Sequence, residues 1–179
     1  MMKSVLIAIR PQLVEKIASG QKTIEVRKTA PQEVPFKAYI YCTKEKKQDD
    51  IIWAGAFGDR CKWNGRVIGE FICNNASELD YVYYWNNGYE FATCLTYRQV
   101  ADYGKGKPLY GWHISDLKIY DKQKELSEFC IPCKVSCENC KNPLYFECWC
   151  EEKGKKIVTR PPQSWCYVED LGEEKWNLN

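Results

Sequence analysis

The chain has 179 residues, 45% hydrophobic and 28% charged, the balance of an ordinary globular protein long enough to bury a core. A net charge of +2 with a pI near 7.9 excludes the strong basic excess of proteins that coat long duplexes, and leaves room for a smaller guest. No apolar run approaches membrane-spanning length and Met1 to Arg10 lacks the apolar core of a secretory signal, so a cytoplasmic chain without membrane contact is expected.

Lys3 to Ile9 is a short apolar run that predicts a strand buried on both faces. Pro11 suits the first position of a helix, and Leu13, Val14, Ile17 and Ala18 share one helical face. Gly20 then stops that helix, since a residue without a Cβ adopts the left-handed conformation cheaply. Thr23 to Arg27 alternates as a strand, with Ile24 and Val26 on one side and Thr23, Glu25 and Arg27 on the other. A carboxylate and a guanidinium thus stand two residues apart, with Lys22 at the strand's mouth.

Thr29 to Pro35 reads as a loop, Lys37 to Cys42 as a strand, and 44–50 as a charged surface loop. Residues 51–64 suit a short hairpin or an irregular insertion, and Arg66 to Cys73 is a strand. A ring-rich stretch follows (Tyr81, Tyr83, Tyr84, Trp85, Tyr89), broken by a turn at Asn86-Asn87-Gly88. Thr96 caps a helix that Gly104 ends, and Leu109 to Tyr120 is one long strand or two with a bend. Short strands with two or three small helices predict an α+β fold built on a partly closed barrel. The expected division is a barrel over 1–126, a cysteine-rich insertion over 127–159, and a segment over 160–179 that packs back on the barrel.

Six cysteines fall within 21 residues, Cys130, Cys133, Cys137, Cys140, Cys148 and Cys150. In a reducing compartment such crowding points to a metal, not to disulfides. Thiolates two residues apart wrap a tetrahedral zinc ion, and two such knuckles in immediate succession would be cramped. The preferred ligands are Cys133, Cys137, Cys140 and Cys148, with Cys130 and Cys150 in reserve. The zinc is expected to be structural, because no open ligand position is suggested.

Gly20, Lys22, Glu25 and Arg27, following a short helix, form a Gly-x-Lys-x-x-Glu-x-Arg pattern that resembles the signature of the ASCH domain family, small PUA-like domains linked to RNA and modified nucleosides. The run Leu109 to Tyr120 is similar to the closing strand of phage- and prophage-type members. The resemblance spans roughly residues 1–120. It implies a pocket at the barrel mouth that holds RNA or a modified nucleotide, lined by Lys22, Thr23, Glu25 and Arg27, with Trp112 and the sole histidine, His113, close by. Physically, Arg27 can fork onto a phosphate or a base edge and Glu25 can accept from an exocyclic amine.

One branch of the resemblance consists of N4-acetylcytidine amidohydrolases, in which a Lys, a Thr and a Glu act together. Lys22 matches that Lys and would be catalytic with Glu25, which occupies the position of the Thr; the partner acid would fall near Asp102 or Tyr103. A third reading makes the cysteine segment a protein-docking module and the barrel its scaffold.

Overall fold

A computed structural model describes residues 2–44, 52–54, 60–80, 84, 89–132 and 156–172, with backbone alone for 52–54 and 60–62. The expected loop over 45–50, the rings Tyr81, Tyr83 and Trp85, the turn at 86–88 and all the cluster cysteines but Cys130 lie outside the described residues.

The architecture is mixed α+β. β1 (Lys3–Ile9) is buried from Ser4 onward. Helix α1 (Pro11–Ala18) buries Pro11, Val14 and Ile17, and the chain leaves it through Gly20 at φ 75°. β2 (Ile24–Arg27) follows, then β3 (Phe36–Cys42), fully buried. β4 (Ile52–Ala54) and β5 (Arg60–Lys62) make the hairpin left open by the sequence. β6 (Val67–Cys73) runs into β7 (Ala76–Glu78), a strand the periodicity did not suggest.

Two helices come next, α2 (Tyr89–Thr93) and α3 (Tyr97–Gly104). Thr96 caps α3 in a reciprocal box with Gln99. The helix includes Gly104, and the left-handed residue that ends it is Lys105 at φ 52°. β8 (Tyr110–His113) and β9 (Ser115–Lys124) are two strands with a bend at Ile114. β10 (Cys130–Ile131) and β11 (Lys156–Ile157) form a small ribbon, and β12 (Trp165–Val168) ends the order.

The strands form two main sheets, β12-β1-β3-β6-β9 and β2-β8-β7, in which β1 and β3 run parallel and the other pairs antiparallel. The chain passes between the sheets at one corner, where β6 bends into β7 and β8 into β9. His113 N–H donates to Asn75 O at 2.9 Å, and Ile114 N–H to Thr23 O at 2.9 Å. Among the described residues the strands divide into these sheets and no closed barrel forms. Gly69 permits the close approach of β9 to β6, since a Cβ there would collide with Lys118 O.

The alternation of β1 divides the core. Val5, Ile7 and Ile9 join Phe36, Phe71 and Trp112 in one cluster, whereas Leu6 and Ala8 join Tyr39, Phe129 and Val168 in another. A third cluster gathers Val26, Leu79, Tyr84, Val100 and Leu109 beneath α2 and α3. The second cluster depends on the C-terminal side of the chain, because Val158 and Val168 belong to it. No helix of the described residues is long and apolar enough to cross a membrane.

Candidate nucleotide-binding site

β2 is apolar on one side and ionic on the other, and both sides are buried. Val26 packs into the cluster under α2 and α3. Cross-strand partners share a face, and Glu25 stands opposite Trp112 while Arg27 stands opposite Tyr110. Glu25 and Arg27 therefore face the cluster shared with the larger sheet, where Trp112 and Tyr110 pack.

The charges meet there. Arg27 Nη2 donates to Glu25 Oε1 at 2.9 Å and to Ala8 O at 2.7 Å. Lys22 Nζ donates to Ile24 O at 2.8 Å and to Thr93 O at 2.6 Å, and lies 3.2 Å from Glu25 Oε2. Relative exposures of 1% for Lys22, 3% for Glu25 and 7% for Arg27 make this a buried network, not a solvated pair. The carbonyl partners at Ala8, Ile24 and Thr93 could not be anticipated, because a backbone acceptor carries no residue-type signal. Thr93 is itself braced: its Oγ1 lies 2.7 Å from Tyr84 OH, which also donates to Leu95 O at 2.9 Å.

Three buried polar atoms of this cluster have no hydrogen-bond partner: Glu25 Oε2, Arg27 Nε and Trp112 Nε1. Oε2 faces Lys22 closely enough for charge attraction, but not in hydrogen-bonding geometry. Each such atom costs about 1–3 kcal/mol when left unsatisfied. All three lie on the paired strands β2 and β8.

The other expected residues are placed differently. Thr23 is exposed, and its N–H is bound to Ala92 O at 2.8 Å. Trp112 is fully buried, edge-on to Phe36 at 4.9 Å and to Trp165 at 5.7 Å. His113, next in sequence, faces the opposite side of β8 and is paired with Ile24, so strand alternation prevents both from lining one pocket. Asp102 and Tyr103 are exposed on α3.

Two clefts of about 640 and 1170 Å³ occur elsewhere, one beside Tyr41, Leu126 and Val158 and the other beside Ala30, Trp165 and Asp170. Neither is lined by Lys22, Glu25 or Arg27. Among the described residues no group of three or more His, Cys, Asp or Glu side chains could hold a metal. Cys130 is half-buried on β10, and Cys133, Cys137, Cys140, Cys148 and Cys150 lie outside the described residues.

No family model and no curated protein matches the sequence. Solved structures do. The ASCH protein from Zymomonas mobilis superposes with a TM-score of 0.54 at 18% identity, covering 93% of this chain and 88% of that one. Its tyrosine-to-phenylalanine variant gives 0.55 at 17% identity, with 93% and 91% covered. Its serine-to-alanine variant gives 0.56 at 17%, with 93% and 89% covered. At this identity the likeness concerns the path of the backbone, and it runs through nearly the whole length of both chains: this chain has the ASCH fold.

Proposed function

We propose that the chain is an ASCH protein that binds RNA or a modified nucleotide through Lys22, Glu25 and Arg27, with Trp112 as the wall of the site. The observation that carries this reading is the set of unpartnered buried atoms at Glu25, Arg27 and Trp112. A base edge presents both donors and acceptors, so it suits one carboxylate oxygen and two N–H groups held close together. Two cations also face a single carboxylate here, which favours a guest bearing acceptor oxygens or negative charge.

The contacts of Lys22 favour binding over amidohydrolase action. Nζ donates to two backbone carbonyls and lies within ion-pair distance of Glu25 Oε2, contacts that suit an ammonium. A lysine that activates a hydroxyl nucleophile needs a free lone pair. No hydroxyl is among these contacts, and the nearest threonine in sequence, Thr23, is exposed.

Arg27→Lys keeps the cation but removes the unpartnered Nε–H and the fork. Calorimetric titration with cytidine, N4-acetylcytidine and their monophosphates should show binding by the parent chain and a loss of about tenfold or more in this variant, the scale of one hydrogen bond to a charged group. Unchanged affinity, or no binding by the parent, counts against the site. Release of acetate from N4-acetylcytidine would instead favour the hydrolase.

The cysteine segment is proposed to bind one structural zinc ion through Cys133, Cys137, Cys140 and Cys148. What supports this is their spacing and the β10–β11 ribbon, in which Cys130 faces Ile157 and brings the two ends of the segment together. Metal analysis should find about one zinc per chain, with chelation lowering the melting temperature. A chain free of zinc with the same melting temperature would refute it.

A further inference from the structure

The smaller cleft, of about 640 Å³, has the size that encloses a small organic molecule. Four stretches of chain meet there: the end of β3 with Thr43 and Lys44 after it, Gly65 ahead of β6, the turn at Leu126 and Ser127, and Val158 after β11. Backbone hydrogen bonds hold these stretches in place. Thr43 N–H donates to Ile9 O at 2.9 Å, Gly65 N–H to Cys42 O at 2.9 Å, and Val158 N–H to Phe129 O at 2.8 Å. The walls are therefore fixed before anything binds.

Two polar side chains border this cleft without a partner among the described residues. Tyr41 is 2% exposed, in the cluster that holds Leu126 and Val158, and its hydroxyl makes no hydrogen bond there. Burial raises its pKa, so the phenol stays protonated at neutral pH and can donate. Lys44 is the other. Its stem lies across Gly65, where an added Cβ would meet Lys44 Cε at 2.5 Å, so the glycine makes room for it. Glu125, the acid that lines the cleft, is already paired with Arg66 and leaves Lys44 without a carboxylate.

We propose that this cleft is a second binding site, for a small organic anion: an apolar body carrying a carboxylate or a phosphate monoester. Lys44, exposed at the rim, holds the charge, and Tyr41, buried beneath, donates to a polar atom of the guest. Two donors without a free acid between them suit acceptor oxygens. The side chains of Leu126, Ile157, Val158 and Pro161 supply apolar walls for the body. None of Lys22, Glu25 and Arg27 lines the cleft, so the site stands apart from the nucleotide reading.

The test is an amide NMR titration with phenyl phosphate, benzoate and the neutral benzyl alcohol. Both anions should give saturable shifts centred on Tyr41, Thr43, Gly65 and Val158. Lys44→Met keeps the stem and removes the charge; it should weaken both anions about tenfold and leave the alcohol unchanged. Tyr41→Phe should weaken the anions about threefold or more, with the melting temperature of the parent, since the hydroxyl it removes has no partner in the fold. Arg27→Lys should leave all three affinities as they are. Anions that give no saturable shift at millimolar concentration, or that shift other residues, overturn the site. So do equal affinities for anion and alcohol, undiminished anion binding by Lys44→Met, or loss of anion binding in Arg27→Lys, which would move the guest to the nucleotide site.

Discussion

Glu25 is the residue on which the ionic network turns, since among the described residues it touches both buried cations, at 3.2 Å from Lys22 and 2.9 Å from Arg27. Removing one member of a buried ion network leaves the others desolvated and unpaired, and typically costs about 3–5 kcal/mol. Glu25→Ala should therefore lower stability by about that amount in urea unfolding. Replacing all three charges together, with Lys22→Met, Glu25→Leu and Arg27→Met, should recover most of the loss, because the desolvation penalty leaves with the charges. For Glu25→Ala, a cost below about 1 kcal/mol, the value of an exposed pair, would mean that water screens the network. The same triple variant, folded but unable to bind, would separate stability from binding.

At the scale of elements, much was legible because local rules and tertiary context agreed. The α1 boundaries followed from Pro11 and Gly20, and the cap of α3 from Thr96, since these residues act through their own backbone geometry. The motif strand was legible too, but its setting was not. Alternation said that Glu25 and Arg27 share a face; it could not say that this face looks inward, because burial of charge depends on partners far along the chain such as Ala8 O. The same limit grouped Trp112 with His113, although the register with β2 sends them to opposite sides. Two elements left almost no signal. β7 is three residues long with no buried residue, and α2 is a five-residue helix among rings, so neither has room for a period to show. The breaks at 74–75 and 114, where the chain crosses from one sheet to the other, lie at polar and apolar residues alike and are held by hydrogen bonds across the corner.

Across the whole molecule, the chain is joined end to end where β12 pairs antiparallel with β1 as the outer strand of the larger sheet. Asp170, two residues past β12, fastens this closure. Its Oδ1 accepts from Lys37 Nζ at 2.9 Å and from Tyr39 OH at 2.5 Å, and Tyr39 OH in turn accepts from Leu171 N–H at 3.0 Å. Burial alone would push the Asp170 carboxyl up, but the hydrogen bonds from Tyr39 and Lys37 outweigh it and hold its pKa below the ordinary 3.8. Burial first, and then the bond to Asp170, raise the Tyr39 hydroxyl well above the usual phenol range, so it stays a donor at neutral pH. A carboxylate with a depressed pKa in the folded state contributes stability above its unfolded value, and that contribution is lost as pH falls through the folded value. The parent chain should therefore melt progressively lower as pH falls through and below the ordinary carboxylate value of 3.8, whereas Asp170→Asn should start lower and fall less, so that the two curves converge in acid. Thermal melts at half-unit pH steps measure this directly. Parallel curves would mean that Asp170 contributes shape but no charge, and that the closure of β12 on β1 rests instead on the apolar contacts of Val168 and its neighbours.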